Sequence, residues 1–218
     1  MLENTYAEFT PVNSENLLLN ILLKPKATFA YIFRNDPSRY VTVLFVLGGI
    51  TNGVDRLIER ESTSTVPNIA QLGISMLIGA ALGWISYYII AQFINIAGDY
   101  LRGKASVKQI RVVVAWALIP SIFSLFFLIP QYFIYGPNSD SFSFAWPPDI
   151  IMEDALLIFF KTQSLVLNIW SFVILIKGVA FIQNFSTGKA FWNVLLPFVI
   201  FAAIIFGFLA LFAAINVL

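Results

Sequence analysis

Five apolar stretches, at residues 40–57, 69–97, 110–135, 155–182 and 191–218, dominate this chain, and each is close to or above the length needed to cross a bilayer. A helix of about 20 apolar residues spans a hydrocarbon core roughly 30 Å thick. Hydrocarbon offers the backbone no partner, so a crossing must close its own N–H and C=O groups. Runs of this length do so only as helices, because a transmembrane barrel needs shorter, alternating strands. The prediction is an all-α polytopic membrane protein, a bundle of five transmembrane helices. Composition agrees, since 59% of residues are hydrophobic and 11% charged, against roughly a quarter charged in soluble domains.

The loops fix an orientation. Twelve of the thirteen Lys and Arg residues alternate between the flanks. The first flank has Lys24, Lys26, Arg34 and Arg39, the third Arg102, Lys104, Lys108 and Arg111, and the fifth Lys177 and Lys189, whereas the second has only Arg56 and Arg60 and the fourth none. By the positive-inside rule the N-terminus is cytoplasmic and the C-terminus outside. No cleavable signal peptide is expected, because the first 16 residues are polar and the apolar run after them is short and stopped by Lys24-Pro25-Lys26. Residues 1–38 read as a cytoplasmic N-terminal segment and 39–218 as the membrane domain. Within the segment, residues 16–35 form an amphipathic interfacial element. Pro25 suits the first turn of a short helix whose Phe29, Ile32 and Phe33 share a face. That face either lies along the headgroups or packs under the bundle.

Small residues mark where helices can approach. Gly49 and Gly53 form one GxxxG, Gly79 and Gly83 another with Ser75 beside it, and Ala203, Gly207, Ala210 and Ala214 line a face of the fifth stretch. They serve packing within the bundle or homo-oligomerisation. Pro120, Pro130 and Pro197 are the expected kinks.

Polar residues at membrane depth cost free energy unless paired or hydrated, so they are the best pointers to a site. Lys161, Ser164, Asn168 and Ser171 recur at i, i+3, i+7 and i+10 on the fourth helix and form one stripe. Lys161, the one basic residue outside the alternating pattern, either snorkels outward or faces inward to pair with Asp55 across a partly wet cavity. On the second helix Gln92, Asn95 and Asp99 share a face just before Arg102. The outer loop, residues 136–154, has Asp140, Asp149, Glu153 and Asp154 without the spacing of a calcium loop. Its Phe142, Phe144 and Trp146 suit interfacial anchoring.

The chain has no Cys and no His, which removes disulfides, thiolate chemistry and the commonest zinc ligand and general base. No cofactor, metal or catalytic residue is expected, and no nucleic-acid partner.

Three segments carry a family likeness. Lys24-Pro25-Lys26-Ala27-Thr28-Phe29 precedes the first crossing. Gly98-Asp99-Tyr100-Leu101-Arg102-Gly103-Lys104-Ala105-Ser106-Val107-Lys108-Gln109 is followed by Ala115-Trp116-Ala117-Leu118-Ile119-Pro120. Trp170, Gly178 and Ser186-Thr187-Gly188-Lys189-Ala190 mark the turn from fourth to fifth helix. Together they resemble the Yip domain family of Rab/Ypt-interacting polytopic membrane proteins. The resemblance implies five helices with a cytoplasmic N-terminus. Eukaryotic relatives assist vesicle traffic and bind prenylated Rab GTPases, but the Asp-Leu-Tyr-Gly-Pro motif those relatives carry is absent here. The likeness is to a prokaryotic-type member of the inner membrane.

The expected function is therefore non-enzymatic: a membrane scaffold or adaptor whose Lys24, Lys26, Arg102, Lys104, Lys108 and Arg111 bind lipid headgroups or partner proteins. The alternative is a small-molecule or lipid transporter, or scramblase, with a polar cavity between the second and fourth helices.

Overall fold

A computed structural model describes residues 16–59, 68–136 and 152–217. Among them every regular element is a helix: α1 Leu17–Leu23, α2 Pro25–Asn35, α3 Val41–Glu59, α4 Ile69–Tyr100, α5 Val107–Ala117, α6 Ile119–Phe123, α7 Leu125–Tyr135, α8 Met152–Gln183 and α9 Thr187–Val217. Four of these, α3, α4, α8 and α9, are long and apolar enough to cross a membrane, and α5 to α7, a pair of segments bent by 41°, bring the count to five when taken as one span. Arg60, much of the acidic outer loop (137–151) and Leu218 lie outside the described residues, as do the side chains of Glu153, Asp154, Ala210 and Ala214.

Local chemistry sets the helix ends. The Asn68 side chain accepts hydrogen bonds from the Ala70 and Gln71 N–H groups and starts α4. Ser106 and Gln109 form a reciprocal capping box at the start of α5, which satisfies two otherwise orphaned donors. The α4 end closes through a Schellman turn, with Gly103 N–H donating to the Gly98 carbonyl at 2.7 Å and Arg102 N–H to the Asp99 carbonyl at 3.0 Å. Arg102 takes the left-handed position there, with φ 60°, where glycine is usual.

The third span is not the single helix 110–135 that its apolar run suggests. Pro120 lacks an N–H and crowds the preceding turn, and the chain breaks at Leu118 and again at Ser124. Side chains repair the break. Ser171 Oγ on α8 accepts from Ser121 N–H at 3.0 Å, Ser121 Oγ donates to Asn168 Oδ1 at 2.9 Å, and Ser124 Oγ donates to the Ser121 carbonyl at 2.6 Å. Pro130 and Pro197, by contrast, lie inside α7 and α9 without ending them.

The two GxxxG motifs meet each other. A Cβ added at Gly53 would stand 3.0 Å from Gly79 Cα and closer still to the Ser75 carbonyl, and one added at Gly49 would run into the Gly79 carbonyl and Gly83. The antiparallel pair α3 and α4 thus packs backbone to backbone. Small residues permit this, and in lipid such packing replaces the hydrophobic drive. Nothing lies within 4 Å of the equivalent position at Gly207.

The amphipathic α1–α2 segment packs its apolar face on the bundle. Ile21, Phe29 and Ile32 are buried, and Gly178 on α8 leaves the room that the Phe29 ring occupies. Trp170 Nε1 of α8 donates to the Leu22 carbonyl at 3.2 Å. The opposite side of α1 presents Leu18, Leu19 and Leu23 outward, and Lys24, Lys26, Arg34 and Arg39 stay exposed. The segment therefore wedges between the helices and their surroundings.

Candidate functional site

Two polar regions occupy opposite ends of the bundle. At the end where α3 finishes and α8 begins, a cavity of about 250 Å³ is lined by Asp55, Glu59, Gln131, Lys161, Ser164 and Asn168, with Ile58, Leu128, Phe160 and Leu165 completing the wall. Its volume is far above the ~10–15 Å³ that one water needs. Three elements contribute: the last turns of α3, the middle of α7, and two turns of α8. The bend before α7 places Gln131 here, buried at 3% exposure.

Asp55 and Lys161 thus face one cavity, with Ser164 and Asn168 on the same helical stripe as the lysine. The stripe divides its labour. Lys161 and Ser164 line the cavity, Ser171 serves the broken third span, and Asn168 does both. Glu59 and Gln131 join the site without having been singled out in the sequence, because neither belongs to a periodic polar pattern.

The cavity lies between the first, third and fourth spans. The polar face of α4, expected to border a cavity with the fourth span, lies toward the other end. There Gln92 and Asp99 are exposed and Asn95 is buried, with Asn95 Nδ2 donating to Asp99 Oδ2 at 2.9 Å. A stripe reveals which residues share a face of a helix, and leaves open which neighbour that face meets.

That other end carries the basic α4–α5 loop. Arg102, Lys104 and Lys108 are exposed there, and Lys24, Lys26 and Lys189 are exposed as well. Arg111 differs from the rest. Its guanidinium lies 4.5 Å from the centre of the Tyr88 ring and its Nε is buried with no hydrogen-bond partner, so it is drawn into the bundle.

The basic loop is held from beneath. Gln183, at the end of α8, accepts from the Ala105 N–H through Oε1 at 2.9 Å. Gly98 and Gly103 make space for it, since a Cβ would approach Gln183 Cδ to 3.1 Å at the first and 2.6 Å at the second. Asn193 of α9 is fully buried beside them and donates to the Ile94 carbonyl at 3.4 Å. Gln183 and Asn193 escaped sequence reading because an amide near a helix end looks like an ordinary cap. The glycine pair flanking Asp99–Arg102 was the available signal.

Among the described residues no three His, Cys, Asp or Glu side chains gather into a metal-ligating group. The arrangement supports recognition of charged groups at both ends, through a fixed basic surface at one and an open mixed-charge cavity at the other.

A family model described as the Yip1 domain matches residues 19–209. No curated protein and no solved structure matches the chain.

Proposed function

Because this chain belongs to the Yip1 domain family, an integral multi-pass membrane protein of Yip type, we propose that it acts as a non-enzymatic membrane scaffold through its basic end. The observation that carries this reading is the pinned α4–α5 loop, which holds Arg102, Lys104 and Lys108 exposed, while Lys24 and Lys26 are exposed on the α1–α2 segment. Basic residues near an anionic surface each contribute about 1 kcal/mol, and a loop already ordered loses little further entropy on engaging one.

Full-length protein in phosphatidylcholine vesicles containing a minor fraction of fluorescent phosphatidylglycerol provides the test. The wild type should enrich the anionic lipid around itself, as read by energy transfer from its tryptophans. Replacing Lys24, Lys26, Lys104 and Lys108 with Gln should lower that enrichment by up to about fivefold per charge at low salt, and added salt should have the same effect. Unchanged enrichment in the fourfold variant would rule out the lipid-binding form of the scaffold. A partner-protein form would then require a native-membrane cross-link that the same variant loses.

The alternating charge supports a cytoplasmic basic end and a cytoplasmic N-terminus, and the likeness to prokaryotic-type members supports residence in a bacterial inner membrane. With no native Cys to interfere, a single Ser38→Cys substitution should react with a membrane-impermeant maleimide only after intact cells are opened. Labelling from outside would invert the topology.

A second reading, movement of a lipid or small polar molecule, draws on the cavity between α3, α7 and α8. It requires first that this cavity hold a ligand.

A further inference from the structure

Arg111 stands apart from the exposed basic residues. One turn into α5, it is half-buried, and its guanidinium lies 4.5 Å from the centre of the Tyr88 ring on α4. Its Nε is buried without a hydrogen-bond partner, and among the described residues no carboxylate pairs with it. An aromatic face attracts a cation but does not neutralise it, and a charge drawn out of water is costly until an anion meets it.

The packing of α3 on α4 sets the depth of this cation. Phe45, one turn into α3, stacks on Tyr87 at 5.3 Å and meets Tyr88 edge-on at 5.4 Å. With 19 residues, α3 is about 28 Å long, close to the roughly 30 Å of a hydrocarbon core. Tyr88 thus lies about one turn inside the boundary at the end that carries the α4–α5 loop. Lipid phosphates stand just beyond that boundary, where a long cationic side chain can extend to meet them.

The surroundings are amphipathic. Trp84, 41% exposed, packs on Tyr88 with ring centres 5.1 Å apart, and Ile85 and Ile89, the residues that follow each of them, are exposed. Gln92, one turn beyond Tyr88, is also exposed and has amide N–H groups to donate. The next carboxylate along this face of α4 is Asp99, eleven residues from Tyr88 and about 16 Å along the axis. A soluble anion gains nothing from the isoleucines, and the ammonium of a zwitterionic headgroup finds no carboxylate near Tyr88 on this face.

We propose that Arg111, braced by Tyr88 and assisted by Gln92, seats the phosphodiester of one anionic phospholipid whose acyl chain runs along Ile85 and Ile89. Arginine offers a phosphate two N–H groups in a fork, and the Tyr88 ring holds that fork in place. The inference rests on the reading that this end meets anionic lipid, and adds one fixed site to a diffuse basic surface.

The test uses purified full-length protein in micelles with equal amounts of phosphatidylglycerol and phosphatidylcholine, with retained lipids counted by native mass spectrometry. One phosphatidylglycerol should stay bound at an ionic strength that strips the others, since a half-buried pair is screened less than exposed ones. It should be favoured over phosphatidylcholine by about fivefold, the worth of one charge at such a surface. Arg111→Gln should reduce its retention about tenfold, and Arg111→Lys should recover part of it, because an ammonium makes no fork. Tyr88→Leu should cut retention several-fold, whereas Tyr88→Phe keeps the ring face and should not. Lys104→Gln should leave the bound lipid in place.

Equal retention of the two lipids by the wild type overturns the proposal, as does wild-type retention in Arg111→Gln. Binding of free glycerophosphate with no lipid retained assigns the site to a soluble phosphate ester and overturns the lipid assignment. Should Arg111→Gln fail to fold, as judged by gel filtration, Tyr88→Leu and the lipid comparison in the wild type still decide. Unchanged vesicle enrichment on replacing the four lysines, with the bound lipid still retained, rules out the diffuse basic surface alone. Enrichment by a wild type that retains no lipid rules out this site alone.

Discussion

Gly79→Ala should destabilise this protein by about 3 kcal/mol or more, the upper range for overpacking, whereas Gly73→Ala on the same helix should be neutral or stabilising by up to about 1 kcal/mol. The chemical change is identical and the surroundings differ. A methyl at position 79 would meet Gly53 Cα at 2.7 Å and Gly53 N at 3.0 Å, and would run into the Gly49 carbonyl. All three are backbone atoms of α3, so no side chain can rotate away and the two helices must separate. Separation would also loosen the Asn52 Nδ2 to Tyr87 Oη hydrogen bond of 2.6 Å that ties the same pair. At Gly73 nothing lies within 4 Å, and the only effect left is the lower conformational entropy that alanine has in the unfolded chain. Unfolding of each variant in mixed micelles, followed by tryptophan fluorescence, measures both. Equal midpoints for the two would show that α3 and α4 do not rely on backbone contact.

The contact between these motifs was half legible in the sequence. Each GxxxG identified a face on which a helix can be approached closely, but the pairing of one with the other depends on register along two helices, which spacing within each does not encode. The same limit explains the cavity. Lys161, Ser164 and Asn168 of the α8 stripe line one cavity together with Asp55. Its other neighbours depended on the 41° bend at Ser124, which reorients α7 and brings in Gln131. Pro120 announced a kink, while the depth of the break follows from Ser121 and Ser124 finding partners that make it tolerable. The long apolar helices themselves were readable because hydrocarbon imposes one rule on every crossing. Buried amides such as Gln183 and Asn193 obey no such rule, since what satisfies them comes from a distant part of the chain.

Gln183→Leu should open the α4–α5 loop to protease without unfolding the bundle. The Ala105 N–H has Gln183 Oε1 as its acceptor, and both residues are buried. Leucine fills a similar volume and leaves that donor without a partner, which costs about 1–3 kcal/mol. The loop can recover the loss by moving into water, so the penalty appears as local opening in place of global instability. Limited trypsin cleavage after Arg102 and Lys104 follows the open population when opening is fast, and should accelerate roughly five- to hundredfold. Cleavage after Lys108 should change little, because the Ser106–Gln109 capping box holds the start of α5 by itself. Gly103→Ala approaches the same contact from the other side, since its methyl would come within 2.6 Å of Gln183 Cδ, and it should reproduce the phenotype. Neither substitution alters the number of charges. If the fixed geometry of the loop matters for attracting anionic lipid, both variants should lose enrichment while still carrying every lysine and arginine. If enrichment persists while trypsin cleavage accelerates, the attraction depends on charge count alone, and unchanged cleavage in both variants would remove Gln183 as the pin of this loop.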